Sequence, residues 1–132
     1  MAEIPAAFQD LMTNPKAFAH LATVNPDGAP QVTPVWFDFN GGKLRVNSAK
    51  GRVKTRNMKE GAKVAVSILD PDNAYRYIQV RGTVRRATEQ GWDAHIDALA
   101  KKYLGKDSYP FRRPGEVRVI FEIEPTGIDA MG

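Results

Sequence analysis

Residues 21–37 read LATVNPDGAPQVTPVWF, which places two apolar runs on either side of a polar turn. The NPDG segment at 25–28 combines four residues that favour tight turns, each for its own conformational reason. We therefore predict a strand over Ala17–Val24, a hairpin turn, and a second strand over Pro30–Phe39. Proline donates no main-chain N–H, so the two prolines of the second strand confine it to the edge of a sheet or to irregular pairing.

The same kind of pattern continues toward the C-terminus. Apolar runs bounded by turn residues predict further strands, and apolar residues three and four apart predict helices. We predict strands over Lys43–Ser48, Lys63–Leu69, Tyr75–Arg86 and 117–123, and helices over Ile4–Leu11, Gly51–Lys59 and Glu89–Leu104, with Thr88 capping the last helix. Six strands with short helices predict a mainly β fold, a six-stranded antiparallel barrel with peripheral α-helices.

The composition fits a single domain over residues 1–132. The chain is 42% hydrophobic and 26% charged, which is ordinary for a globular protein. It contains no cysteine, which excludes a disulfide scaffold, a thiolate metal site and a cysteine nucleophile. No signal-peptide pattern opens the sequence, and no apolar run reaches the roughly 18 residues that span a bilayer. We therefore expect a cytoplasmic protein that does not interact with a membrane.

The sequence offers little for metal or hydrolytic chemistry. His20 and His95 are its two histidines, and they stand far apart, whereas metal ligands occur in clusters. We expect His20 in a strand with apolar neighbours and His95 on a largely polar helix face, both structural, and no metal. The motifs G-x-S-x-G and S-x-x-K are absent, as are the G-x-G-x-x-G and Walker phosphate loops. Hydrolases and kinases are therefore disfavoured.

Positive charge is concentrated in one segment of a chain whose formal net charge is +4. Between positions 50 and 63, one acid, Glu60, opposes six basic residues: Lys50, Arg52, Lys54, Arg56, Lys59 and Lys63. The segment follows a polar strand end and a glycine turn, and it begins a helix whose free N–H groups would favour a phosphate. These residues alone give equal weight to an anion site and to a solvated basic surface.

Two further segments have the chemistry to bind a planar group. The polar side chains and proline of Gln31–Trp36 interrupt a strand, which leaves main-chain N–H and C=O groups free for the edge of a ring. Taken alone, this segment is better explained as a proline-broken edge strand. Tyr75 and Tyr77 flank an arginine just after a turn and could stack on a ring or a base. Packing within a strand is the commoner role for such a pair.

Two motifs carry a resemblance to a known family. The first, L-A-T-x-x-x-D-G-x-P, occupies residues 21–30, and the second, R-x-K-T-R-N, occupies residues 52–57. Together with the strand ending Val80-Arg81-Gly82, they resemble the split-barrel flavin and deazaflavin oxidoreductases, a superfamily that includes pyridoxamine 5'-phosphate oxidase. The K-T-R-N step is most similar to the branch that uses the deazaflavin coenzyme F420, in the group with biliverdin-reductase-like proteins. The likeness covers nearly the whole chain.

The resemblance implies a six-stranded split β-barrel that forms a homodimer with two coenzyme sites at the interface. The residues that would line the isoalloxazine-like ring are Gln31, Val32, Thr33, Pro34, Val35 and Trp36. Those that would hold the phosphate and the start of the acidic tail are Asn47, Ser48, Lys50, Arg52, Lys54, Thr55 and Arg56. Those that would approach the ring from the partner subunit are Tyr75, Tyr77 and Ile78. The sequence departs from the family pattern in two respects. Pro34 stands where related sequences often have a small polar residue, and the arginine-bearing C-terminal tail of a pyridoxamine phosphate oxidase is missing.

Three functions remain open at this point. The first is an F420-dependent oxidoreductase that passes a hydride from the reduced deazaflavin to a small unsaturated acceptor, with the proton coming from solvent or Tyr77. Lys59 and Lys63 would then extend the cationic surface along the coenzyme tail. The second is an FMN-binding flavoprotein, since FMN has the same ring shape and phosphate. The third is a non-enzymatic basic module for nucleic acid, which the charge cluster favours but no recognised motif supports. We expect a small-molecule substrate and no nucleic acid.

Overall fold

The hairpin predicted from residues 21–37 is present. In the computed structural model, which describes residues 2–132, β1 (Ala19–Val24) pairs antiparallel with β2 (Pro30–Val35). Leu21 lies opposite Thr33, and Gly28 turns the chain with a φ of 90°, which glycine adopts without steric cost. β1 buries every second residue, as expected for a strand with one face on the core.

The mainly β prediction is confirmed. The N-terminal segment forms a short 3₁₀ turn, Ala6–Phe8, and a one-turn helix, α1 (Asp10–Thr13). After the hairpin come β3 (Phe37–Asn40), β4 (Lys43–Ala49), α2 (Val53–Asn57), β5 (Lys63–Asp70), β6 (Asn73–Thr88), α3 (Trp92–Leu104) and β7 (Arg118–Met131). No helix within residues 2–132 is long and apolar enough to cross a membrane.

The strands form one antiparallel sheet whose two edges are brought together by Trp36. The strand order is β2-β1-β5-β6-β7-β4-β3, so β2 and β3 are the opposite edges of the sheet. Yet only Trp36 separates the end of β2 from the start of β3. Two peptide units reach no further than about 7.6 Å, so the sheet must curl until its edges meet. The result is a barrel that is split between β2 and β3.

The number of strands differs from the prediction, because the sheet has seven strands and not six. The segment Pro30–Phe39, predicted as one strand, is divided between β2, which pairs with β1, and β3, which pairs with β4. The residues on both sides of Trp36 have the alternation that is typical of a strand, so the amino-acid sequence does not reveal where β2 ends and β3 begins. The edge position of the proline-containing strand is confirmed, since β2 pairs only with β1.

The core fills the inside of the curled sheet. Its largest fully buried side chains include Leu21, Phe37, Leu44, Ile68 and Ile78, and each stabilises the fold by about 1.5–3 kcal/mol through removal of apolar surface from water. α3 packs on the other face of β4 and β7. The start of β7 is therefore buried on both faces, which places the charged side chain of Arg118 in the interior.

α3 begins later than predicted. Thr88 is the last residue of β6 and not a helix cap, although its Oγ1 accepts a hydrogen bond from the Gln90 N–H at 3.0 Å. Gly91 occupies the N-cap position with a φ of 79°. The predicted stop is confirmed, because Gly105 ends the helix with a φ of 70° and donates its N–H to the Lys101 carbonyl.

Candidate functional site

A cleft of about 200 Å³ lies at the split between β2 and β3. It combines the end of β2, the break at Trp36, the start of α2, one face of α3 and the loop that precedes β7. Its lining residues are Phe18, Pro34, Val35, Trp36, Asn47, Arg52, Lys54, Ile96, Tyr109, Phe111 and Arg118. Two groups of residues that the sequence predicts separately, one for a ring and one for a phosphate, therefore meet in one cleft.

One wall of the cleft is cationic. Arg52 immediately precedes α2, Lys54 lies within it, and Arg118 begins β7. Burial lowers the pKa of Lys54, and the charges of Arg52 and Arg118 lower it further. Burial likewise lowers the pKa of the Arg118 guanidinium, which is only 5% exposed. Glu116 pairs with Arg118 at 3.2 Å and offsets one of the three charges, so the wall keeps a surplus of positive charge that would favour a bound anion.

Arg118 is held in place by Asn47. The Arg118 guanidinium donates through Nε to Asn47 Oδ1 at 2.6 Å and through Nη2 to the Asn47 carbonyl at 3.1 Å. Asn47 Nδ2 donates to the Trp92 carbonyl at 3.0 Å and lies 3.2 Å from Nδ1 of His95. The Asn47 amide is thus engaged at both ends by the protein. Asn47, predicted as a phosphate ligand, thus lines the cleft and also positions Arg118.

His95 is buried, so the prediction of a polar helix face was wrong for this residue. Its Nε2 lies 3.2 Å from Asp38 Oδ2, and Asp38 also accepts hydrogen bonds from Arg45 at 2.8 and 2.7 Å. Nε2 donates to Asp38, and Nδ1 lies beside the Asn47 amide. The role is structural, as expected. His20, by contrast, is exposed and contacts the Ser67 carbonyl.

The opposite wall of the cleft is aromatic. Trp36 stacks on Tyr103 with ring centroids 5.4 Å apart and an interplanar angle of 8°. Tyr109 meets the edge of Trp36 at 5.9 Å and continues the row to Phe111 at 5.6 Å. The Arg118 guanidinium lies 5.4 Å from the Tyr109 ring centroid, so the aromatic and cationic walls touch. A planar ligand with an anionic group at one end would complement these two walls.

The loop that carries Tyr109 and Phe111 is anchored to α3. Asp97 Oδ1 accepts hydrogen bonds from the Tyr109 N–H and from Arg112 Nη1, both at 2.8 Å. Arg112 Nη2 also donates to the Asp93 carbonyl at 3.1 Å. These contacts fix the aromatic wall against the helix and hold the rings beside Trp36.

α2 is short and tied to its neighbours by side chains. Thr55 Oγ1 lies 2.8 Å from the Ala49 carbonyl and 2.9 Å from Ser48 Oγ, and Ser48 is fully buried. Asn57 Nδ2 donates to Thr23 Oγ1 at 3.2 Å and to Asn25 Oδ1 at 2.8 Å. Ser48 and Thr55, predicted as ligands, thereby position the helix. With five residues, α2 has little helix dipole, so the positive field of the site comes from side chains.

Other predicted site residues lie outside the cleft. Gln31, Thr55 and Arg56 line a separate groove with Asn25 and Lys59. Lys50 forms a surface ion pair with Glu89 at 2.6 Å. The Thr33 hydroxyl is buried and has no hydrogen-bond partner within residues 2–132. Such a buried, unpaired hydroxyl costs stability.

Four predicted residues belong to strands of the sheet but do not line the cleft. Tyr75 is 78% exposed and Val32 is 66% exposed. Tyr77 lies opposite Leu69 of β5 and Met131 of β7. Ile78 differs from them, because its side chain is fully buried in the core and cannot contact a coenzyme ring. The approach of Ile78 to a ring stays a prediction, and it would involve the main chain of this residue.

Sequence reasoning missed five residues of the cleft, which are Phe18, Ile96, Tyr109, Phe111 and Arg118. Arg118 had a detectable signal, since it is a cation within the apolar run of a predicted strand. The aromatic residues at 109 and 111 lie in a loop without periodicity, so their position depends on the anchor at Asp97. No local pattern places that loop beside Trp36.

The curled sheet, split at one point and lined there by cations and aromatic rings, defines the class of the protein. Residues 4–132 match the family model described as pyridoxamine 5'-phosphate oxidase. The chain therefore belongs to that family, and the resemblance drawn from the two motifs is confirmed.

Solved structures agree with this assignment. One named F420 reductase is 38% identical, with coverage of 96% of this chain and 98% of that chain and a TM-score of 0.82. The heme storage protein HutZ from Vibrio cholerae is 16% identical, with coverage of 99% and 96% and a TM-score of 0.70. A conserved hypothetical protein from Mycobacterium tuberculosis is 18% identical, with coverage of 97% and 84% and a TM-score of 0.72. The last two show a common fold.

Proposed function

We propose that this protein is an oxidoreductase whose phosphate-bearing coenzyme is F420. The observation that carries the proposal is the meeting of Arg52, Lys54 and Arg118 with the Trp36 wall in one cleft. A ring with a phosphate on its side chain needs an apolar planar surface beside an anion site, and the cleft has both. The likeness to a structure named F420 reductase supports F420 over other coenzymes of this shape.

The residues of the chain bind and orient the coenzyme. Arg52, Lys54 and Arg118 neutralise the phosphate, and the Trp36 wall bounds one side of the ring. β2 has a free edge, because it pairs only with β1, so its main-chain groups can bond the rim of the ring. Pro34 offers no N–H there, which leaves the bond to a neighbouring residue.

When bound, the reduced deazaflavin supplies the hydride, and the acceptor is a small unsaturated organic molecule. The chain contributes orientation and exclusion of water. Tyr77 lies in β6 and does not line the cleft of its own chain. The proton that completes the reduction would therefore come from solvent or from Tyr77 of a second copy of the chain.

The coenzyme site is completed by a second copy of the chain in this proposal. The cleft holds about 200 Å³, less than the roughly 300–1,000 Å³ typical of ligand pockets, so one chain covers only part of a three-ring coenzyme. The outer face of the sheet presents apolar side chains to solvent, among them Val24, Val32 and Leu69. A homodimer that buries this face would bring Tyr75 and Tyr77 of one copy toward the other.

The distribution of the basic residues argues against the nucleic-acid alternative. The basic residues between positions 50 and 63 are divided among separate depressions, with Lys54 in the cleft, Arg56 in the groove of Gln31, and Lys63 over β5. Nucleic acid favours a continuous positive stripe that follows its backbone. The divided arrangement suits a small anionic ligand better.

A fluorescence titration tests the proposal. The purified protein should bind F420 more tightly than FMN, and Lys54→Ala should weaken binding of either coenzyme about tenfold or more, because it removes a charge-assisted hydrogen bond from a half-buried site. Arg56→Ala is the matched control, since it removes an equal charge from the separate groove and should leave affinity nearly unchanged. Tighter binding of FMN, or purification as a yellow flavoprotein, would contradict the F420 assignment.

A further inference from the structure

The main chain at the split of the barrel is held by two side chains of α3. Phe37, the residue after Trp36, begins β3 and is fully buried. Its carbonyl accepts a hydrogen bond from Lys102 Nζ at 2.8 Å, and its N–H donates to the Tyr103 hydroxyl at 3.4 Å. The Lys102 ammonium also lies 4.1 Å from the centroid of the Phe37 ring. Neighbouring residues of one helix thus contact both main-chain groups of Phe37, at the place where β2 and β3 part.

The same two side chains join the split to other parts of the chain. Lys102 Nζ also donates to the Met12 carbonyl of α1 at 3.0 Å. The Tyr103 hydroxyl donates to the Ala17 carbonyl, just before β1, at 2.8 Å. Hydrogen bonds donated by an ammonium are about twice as strong as neutral ones. Lys102 therefore makes the stronger contribution to the position of Phe37.

Tyr103 connects these hydrogen bonds to the cleft. Its ring stacks on Trp36, and Phe18 meets its edge with ring centroids 5.1 Å apart. Trp36 and Phe18 line the cleft, whereas Lys102 and Tyr103 do not. The two residues of α3 can therefore act on a ligand only through the aromatic wall that they hold.

The surroundings of Lys102 disfavour its charge. Burial lowers the pKa of its ammonium to about 8, although the charge of Asp38 in β3 opposes this effect. Burial raises the pKa of Tyr103, so this phenol stays neutral at that pH. The acid of α1, Asp10, is engaged with Arg76 at 2.6 Å. Lys102 therefore changes its charge near pH 8 while these neighbours keep theirs.

We propose that Lys102 and Tyr103 are positioning residues, which hold the Trp36 wall of the cleft in the form that accepts the ring of the coenzyme. The effect on the coenzyme rests on the proposed function, whereas the hold on Trp36 does not. Loss of the Lys102 proton weakens the hydrogen bonds to the Phe37 and Met12 carbonyls, because the donor is then neutral. The wall should therefore loosen as the pH rises through about 8.

The ligand-free protein tests the hold on Trp36. Trp92→Phe leaves Trp36 as the only tryptophan, so its emission and its quenching by acrylamide report on this wall. Both should change with a midpoint near pH 8. Lys102→Met, added to this protein, keeps the length of the side chain but removes its donors; it should increase quenching at neutral pH and abolish the titration. Lys101→Met is the matched control, because it removes an exposed lysine paired with Asp107, and it should change neither.

A titration with F420 then tests the effect on coenzyme binding. At neutral pH, Lys102→Met should bind F420 about fivefold more weakly than wild type, a loss comparable with that of one hydrogen bond. Well above pH 8 the difference should be smaller, because the lysine of the wild type is then neutral. Lys101→Met should bind as wild type does at both pH values. Comparing proteins at the same pH cancels any ionisation of the coenzyme itself.

The outcomes separate this inference from the proposed function. Emission of Trp36 that does not depend on pH, or the same titration in Lys102→Met, overturns the positioning role. Equal affinity of wild type and Lys102→Met for F420 at neutral pH also overturns it. If Trp36 titrates as expected and wild type binds no F420, the hold on Trp36 stands and the proposed function fails. Circular dichroism checks that the variants keep the fold, and the pH titration with Lys102 in place remains decisive if Lys102→Met does not fold.

Discussion

Arg118 illustrates how burial fixes the orientation of a cation at the candidate site. Its guanidinium lies between Asn47, Glu116 and the Tyr109 ring, and each contact restricts its orientation toward the cleft. A lysine could not replace it, because a single ammonium cannot donate in the planar fork that contacts both Asn47 Oδ1 and the Asn47 carbonyl. The chain thereby holds a cation ready for a ligand at the meeting point of β4 and β7.

Behind Arg118, the Asp38 carboxylate stabilises the site in a pH-dependent manner. Burial by itself would raise the pKa of Asp38, but hydrogen bonds from His95 and Arg45 outweigh it and lower the pKa from 3.8 to about 2. A carboxyl whose pKa is lower in the folded state stabilises the fold when ionised. This contribution is complete above pH 3.8, the ordinary value, and is lost as the pH falls through about 2.

Asp38→Asn should therefore reduce the free energy of unfolding by about 2 kcal/mol at neutral pH, with a smaller difference from wild type as the pH approaches 2. Urea unfolding between pH 2 and 7 measures this. Asp107→Asn is the control, because that carboxylate is almost fully exposed in its pair with Lys101 and should have little effect. A difference that stays constant across the pH range would contradict the assignment.

Among the elements, α2 has side chains with two different roles. Its cations reach two different depressions, while Thr55 and Asn57 tie the helix to β4 and β1. Five residues form too short a helix to be stable alone. The position of Lys54 in the cleft therefore depends on these side-chain hydrogen bonds.

Thr55→Val keeps the shape of the side chain and removes the hydroxyl. We expect the free energy of unfolding to fall by about 1 kcal/mol, since the Ala49 carbonyl loses a partner, and coenzyme affinity to fall as well because Lys54 is less well held. Thr126→Val is the control, since it also removes a hydroxyl bonded to a main-chain carbonyl, that of Arg81, but does not line the cleft. Chemical denaturation and coenzyme titration measure both effects. Loss of stability with unchanged affinity would show that the tether does not position Lys54.

At the scale of the whole molecule, α3 covers the outer face of the curled sheet at β4 and β7, whereas β1 and β2 have exposed outer faces within residues 2–132. Val24 and Val32 are 51% and 66% exposed on adjacent strands, and Leu69 and Met131 extend the apolar surface across the sheet. Exposed apolar residues grouped in this manner are typical of an interface.

We expect light scattering at micromolar concentration to give a mass about twice the 14.6 kDa of the chain. Val32→Lys should shift the protein to monomer and weaken coenzyme binding, because a charge on this face must be desolvated in the interface. Lys16→Glu, an exposed change outside the sheet, should leave the mass unchanged. A monomeric wild type would remove the shared-site part of the proposed function.

Local sequence determined the elements of this protein. The NPDG turn and the alternation in β1 predicted the first hairpin, Gly105 predicted the end of α3, and the motif at 52–57 predicted the family and two cations of the cleft. These features could be found because turn residues and side-chain periodicity act over a few neighbouring positions. The division at Trp36 could not be found, because both of its sides continue the same strand pattern.

Only the tertiary structure decided where the site is and which side chains act in it. The seven-stranded sheet curls until β2 and β3 meet at Trp36, and the pairing of β4 with β7 then sets Arg118 against Asn47. The same packing buries His95 and Ile78. It also gives the side chains of Asn47 and Ser48 hydrogen-bond partners within the protein. The physical reason is that curl, distant strand pairing and the docking of α3 arise from burial of apolar surface over the whole chain, which no short window of sequence records.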